Sequence, residues 1–142
     1  MIRFLIMSLS LFLVSPILAQ DSILNVMKDR SLSIVQVKVL NVQGGRFEEI
    51  GVEMCSAECQ ILGIIKGASK KGEKLNLTFD RYMHNKVQEL GDEPRIVEKD
   101  KQYILFIKDD IKDNKGAHNV TLVDRWTGAL LYNRYLFTIL KR

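Results

Sequence analysis

FEEIGVEMCSAECQILGII, residues 47–65, is the stretch on which the fold turns. Cys55, Ala57, Cys59 and Ile61 fall on one side of it, and Ser56, Glu58 and Gln60 on the other. A period of two fits a strand with one face in a core and the other in water. Gly63, inside the apolar end, marks a bend or bulge.

The neighbours on both sides continue the pattern. Upstream, SLSIVQVKVLNV (31–42) is rich in β-branched residues, with Val35, Val37 and Val39 alternating on one face, and Gly44-Gly45 supplies the turn between the two runs. Downstream, Gly67 to Gly72 forms a turn and KLNLTF (74–79) alternates again. QYILFIK (102–108) is the most apolar strand, followed by a polar loop at 109–119, a strand at 120–124 and a short one at 129–132. Between the third and fourth strands the period changes. Met83, Val87 and Leu90 recur at helical spacing, with Asp80 upstream as a cap and Gly91 as a stop. Leu24 and Met27 predict a further short helix over 21–30, and residues 135–140 read equally as strand or helix.

The chain has 142 residues, 46% hydrophobic and 27% charged, which excludes a disordered tail and an all-membrane protein and leaves room for one domain. A cofactor domain beside a substrate domain would not fit. Residues 1–19 are a different material. Arg3 gives a positive start, residues 4–18 carry no charge, and Ile17-Leu18-Ala19 offers a small residue before a cut. These are the three parts of a secretory signal peptide. The apolar run is shorter than the roughly 20 residues that cross a bilayer comfortably, and Pro16 interrupts it. The expected mature domain is residues 20–142, secreted or periplasmic, with no stable membrane insertion. Losing Arg3 leaves 20 basic against 17 acidic residues, a charge of +3, well short of a nucleic-acid binder's field.

Five strands, with a helix between the third and fourth, is the order of an OB-fold, a small Greek-key barrel. The expected class is therefore mainly β, a five-to-six-stranded OB-like barrel with one or two short helices. Ile64-Ile65-Lys66-Gly67, then Gly72-x-x-Leu75-x-Leu77, Tyr103-Ile104-Leu105-Phe106 and Trp126-x-Gly128-Ala129 resemble the netrin-like modules. That barrel is shared with the tissue inhibitors of metalloproteinases and with small secreted bacterial proteins. The resemblance spans residues 31–132 and implies the barrel. It does not imply protease inhibition, which in those inhibitors needs a mature amino-terminal cysteine. Here the expected end is Gln20, and no cysteine precedes Cys55.

Residues with chemistry are few. Export would place Cys55 and Cys59 in an oxidising compartment, where an even count suggests a disulfide. Four residues of strand span about 13 Å, however, against roughly 7 Å for bridged Cα atoms. Two buried thiols in the core fit the alternation better. One Cys-x3-Cys with two distant histidines is a poor metal set. His84 and His118 have no Gly-x-Ser-x-Gly elbow to serve. No catalytic residue, metal or cofactor is expected. Asn76-Leu77-Thr78 and Asn119-Val120-Thr121 match the glycosylation acceptor pattern. Trp126, between two apolar runs, reads as a plug closing the barrel, with Gly128 letting the chain fold closely over it.

These readings predict a non-catalytic binding module acting on another extracytoplasmic protein or peptide, with Phe79, Arg81, Tyr82 and His84 as contact residues. The alternative is an OB-type binder of nucleic acid or polysaccharide. Nucleic acid would need aromatic platforms flanked by positive charge, for which Phe47, Phe79, Tyr82 and Tyr103 are at hand.

Overall fold

The computed structural model describes residues 23–49, 52–82, 97–124 and 128–142. A first helix, α1 (23–30), precedes six strands: β1 (Ser33–Glu49), β2 (Val52–Lys66), β3 (Lys74–Tyr82), β4 (Gln102–Lys112), β5 (His118–Leu122) and β6 (Ala129–Leu131). A second helix, α2 (Arg134–Lys141), ends the chain. The expected leader 1–19, the helix expected at 82–90 beyond Tyr82, and Trp126 lie outside the described residues.

The strands run in the order β1-β2-β3-β5-β4, and β1 pairs again with β4, so five strands close into a barrel with β6 added on β4. β3 and β5 are parallel; the other pairs are antiparallel. This is the mainly β, OB-like barrel that the strand order predicted.

Alternation fills the barrel. Val35, Val37 and Val39 from β1, Cys55, Ala57, Cys59 and Ile61 from β2, and Leu75, Leu77 and Phe79 from β3 meet Tyr103, Leu105, Ile107 and Val120 in one core. β4 is buried on both faces over residues 103–107, because Ile104 and Phe106 point the other way into a second core. That second core lies outside the barrel wall, where Met27 of α1 and Leu140 of α2 cover Ile34, Ile104 and Phe106. Leu24 joins Met27 on that side of α1, as the sequence spacing predicted, and 134–141 resolve as helix. Asn133 caps α2 by accepting from the Tyr135 N–H at 2.8 Å.

Two boundaries differ from expectation. Gly44-Gly45 is not the turn between β1 and β2, since β1 continues to Glu49 and the ladder shifts register between Gln43 and Arg46. A Cβ on Gly45 would lie 2.1 Å from the Met54 carbonyl oxygen, and the Gly45 N–H donates to Oε1 of Glu53 at 3.0 Å. The glycine pair thus serves a bulge and close backbone approach rather than a reversal. β4 also extends to Lys112, which shortens the expected 109–119 loop. Gly63 does mark a bulge: the register slips between Gln36↔Gly63 and Val37↔Ile61, and the Phe137 ring of α2 lies over the glycine. Gly128 meets its tight passage as well, with a Cβ there falling 2.4 Å from the Asp124 carbonyl oxygen.

Candidate functional site

The helices cover one side of the barrel, above β1 and β4. The opposite wall, built from β1, β2, β3 and β5, carries polar residues over most of its outward positions, with Met54 of β2 an exception. Register turns these into rows. Gln43 lies opposite Ser56, Ser56 opposite Thr78, and Thr78 opposite Thr121. The adjacent row runs from Asn41 to Glu58, Asn76 and Asn119. The parallel pairing of β3 with β5 sets the two Asn-x-Thr triplets side by side, asparagine against asparagine and threonine against threonine. A depression of about 390 Å³ lies over both rows, lined by Asn41, Gln43, Ser56, Ala57, Glu58, Asn76, Thr78 and Asn119.

The side chains of Asn41, Gln43, Ser56, Asn76 and Thr78 make no side-chain hydrogen bond among the described residues; four of them are exposed and Asn76 is half-buried. Asn119 helps hold the Asp113 carboxylate, and Thr121 donates to Oδ2 of Asp109 at 3.2 Å. The Ala117 N–H, with those of Lys115 and Gly116 and the Asn119 amide, holds Asp113 below the usual carboxylate range. That fixes the β4–β5 loop at the rim. Glu58 pairs with Lys74 at 3.4 Å, both well exposed.

A larger depression of about 560 Å³ adjoins the first, sharing Glu58 and Asn76 and ending at Lys115 and His118. His118 stands between two carboxylates: Nδ1 lies 3.0 Å from Asp110 Oδ1 and Nε2 3.8 Å from Glu73 Oε2. On its far side a cavity of about 320 Å³ includes Ser33, whose buried hydroxyl has no hydrogen-bond partner. The carboxylates flank the imidazole rather than converge with it. Among the described residues no group of three or more His, Cys, Asp and Glu side chains is placed to hold a metal ion.

Of the residues expected to make contacts, only the side chain of Phe79 is described. Phe79 follows the Leu75–Leu77 alternation inward and is 8% exposed, a core residue that also edges a small depression with Thr78, Asp80, Thr121 and Leu122. The backbones of Arg81 and Tyr82 close β3 opposite Glu53 and Val52; their side chains, and all of His84, lie outside what is described. Tyr103, named for stacking, is buried, and its hydroxyl accepts from the Glu98 N–H at 2.9 Å. Cys55 and Cys59 are buried thiols on the inner face of β2, neither in a disulfide. Burial pushes the Cys59 thiol up to about 12, with Glu58 adding to the effect. The rows themselves escaped sequence reading, although the repeated Asn-x-Thr triplet was a visible signal.

Fold and wall together define an OB-like barrel with one helix-covered side and one open polar side. No family model matches the chain, and no curated protein matches it. Among the described residues no helix is long and apolar enough to cross a membrane.

Proposed function

We propose that this chain is a non-catalytic binding module working outside the cytoplasm, secreted or periplasmic, and that it takes its ligand across the polar wall of β1, β2, β3 and β5. One observation carries the reading: two rows of polar side chains, amides and hydroxyls with the single carboxylate of Glu58, brought into register by four strands over a shallow depression, with Asn41, Gln43, Ser56, Asn76 and Thr78 making no side-chain hydrogen bond among the described residues. Buried polar groups must be paired in any fold, but exposed ones need not be aligned. The leader-like residues 1–19 support an extracytoplasmic site of action. The resemblance to netrin-like modules belongs to the same proposal, supported by the barrel and by the residues that carry the likeness.

Nucleic acid suits the wall less well. Two of the four aromatics at hand for stacking, Phe79 and Tyr103, belong to the core, and among the described residues no lysine or arginine lines the depression over the rows.

A photo-crosslinking residue placed at Ser56 or Thr78, and as a control at Thr138 on α2, tests the site in the host's extracytoplasmic fraction. Discrete adducts from the first two positions and none from Thr138 are expected. Adducts from Thr138 alone, or the same adducts from all three, would move the binding surface elsewhere.

A further inference from the structure

We infer that the ligand of the polar wall is a neutral glycan, an uncharged oligosaccharide or polysaccharide strand laid across β2, β3 and β5; this rests on the reading of that wall as the binding surface. The first ground is repetition. Parallel pairing places Asn76 beside Asn119 and Thr78 beside Thr121, so the same two groups recur one strand apart. That interval is about 4.8 Å, close to the advance of one sugar in an extended chain. A surface that repeats its own groups suits a polymer that does the same.

The second ground is chemical. A side-chain amide carries two donors and an acceptor, and a hydroxyl both gives and receives. Sugar hydroxyls have the same double character, so either can be met in several orientations. An extended peptide draws its affinity from main-chain hydrogen bonds at an open sheet edge and its specificity from pockets for side chains, whereas this wall is the face of strands already paired on both sides. Asn41, Gln43, Ser56, Asn76 and Thr78 offer no such pocket, and no aromatic side chain lines the depression among the described residues. A phosphate polymer would find no cation lining the depression over the rows among the described residues; Lys74 and Lys115 line the adjoining one. Of these, Lys74 is paired with Glu58.

The third ground is energetic. Asn41, Gln43, Ser56, Asn76 and Thr78 are solvated in the unliganded protein, and Asn119 and Thr121 already bond Asp113 and Asp109, so each exchange for a sugar hydroxyl gains little. Affinity must then accumulate over several sugars, and it should rise with chain length rather than depend on one residue of the ligand.

Amide shift mapping of the isotope-labelled full chain tests this. The probes are neutral β-linked hexasaccharides of glucose, mannose and N-acetylglucosamine, with their disaccharides for length. A hexameric polyuronate, an oligothymidylate and an extended neutral peptide serve as controls. At least one neutral hexasaccharide is expected to move the side-chain amides of Asn41, Gln43, Asn76 and Asn119, its disaccharide far less. Asn76→Ala with Asn119→Ala should weaken that binding by about tenfold or more, for two lost hydrogen-bonding groups, while moving the thermal midpoint by no more than about 1–3 °C. If no neutral hexasaccharide moves these amides, the inference is overturned. Should the polyuronate, the oligonucleotide or the peptide move them instead, the ligand class is wrong and the wall still stands. Saturable shifts confined to the helix-covered side would remove both.

Discussion

The two outer sides of this barrel are made by the same alternation and end differently. Over β1 and β4 the outward positions are Ile34, Ile104 and Phe106, all fully buried because α1 and α2 close over them. Over β2, β3 and β5 the outward positions are Ser56, Glu58, Asn76, Thr78, Asn119 and Thr121, and no described element covers them. An apolar outer face must find cover, because each large side chain left in water forgoes about 1.5–3 kcal/mol. A polar outer face needs none. The first side holds the molecule together, and the second is free to be shaped by what it meets.

The largest effect should come from the covered side. Phe106→Ala would leave a cavity between β4 and the helices, at about 3–5 kcal/mol, out of roughly 5–15 for a domain of this size. A thermal midpoint that hardly moves would mean that the helices are ornaments on a barrel stable without them.

The interior supplies the next test. The Cys59 thiol sits at about 12 in the fold, against 9.0 as its ordinary value. Its folded value is raised, so its contribution is complete below pH 9 and declines as pH climbs from 9 through about 12, where the unfolded chain ionises and the fold resists. The loss reaches a few kcal/mol at the top of that window. Denaturant titrations at stepped alkaline pH should show a steeper fall for the native chain than for Cys59→Ala. Parallel falls would show that Cys59 ionises without leaving the barrel. At neutral pH both thiols should resist a maleimide until the chain unfolds.

A smaller effect is expected where the polar sheet bends. Gly45→Ala forces a methyl group toward the Met54 carbonyl oxygen and disturbs the Gly45 N–H contact with Glu53. Such an incompatible glycine replacement costs more than about 1 kcal/mol. A neutral result in chemical denaturation would restore Gly44-Gly45 to the ordinary turn that its sequence suggests.

How far the molecule was legible follows from what each feature depends on. Alternation is local, so the strands containing Val35–Val39, Cys55–Ile61 and Leu75–Leu77 could be read directly, and their order already implied the barrel. The inward turn of Phe79 was legible in the same way, two residues beyond Leu77. Gly44-Gly45 misled because a glycine pair reads alike as a turn and as a bulge; only the partner strand distinguishes them. Asp109 to Lys112 looked like loop because exposed strand residues are polar whether or not they pair. The rows across the polar wall were out of reach for a different reason. They depend on the register between β3 and β5, which are joined through a long connection, and no local pattern fixes which asparagine meets which.

The smallest expected effect is the one that separates the two sides most sharply. If the polar wall is an open surface, its residues contribute to binding and hardly at all to folding. Thr78→Ala and Ser56→Ala remove hydroxyls without a described protein partner, and the double change Asn76→Ala with Asn119→Ala removes two amides, one of them also touching Asp113. Surface changes of this kind stay within about 0.5 kcal/mol of the parent, a thermal shift of about 1–3 °C. Alanine also suits a strand no worse than asparagine does, so propensity should not mask the result. Differential scanning calorimetry of the three variants beside Phe106→Ala therefore gives a direct contrast. If the asparagine double variant instead loses stability on the scale of Phe106→Ala, the Asn-x-Thr rows are a structural ladder holding the parallel strands, both outer sides serve the fold, and the wall loses its claim to be a binding surface.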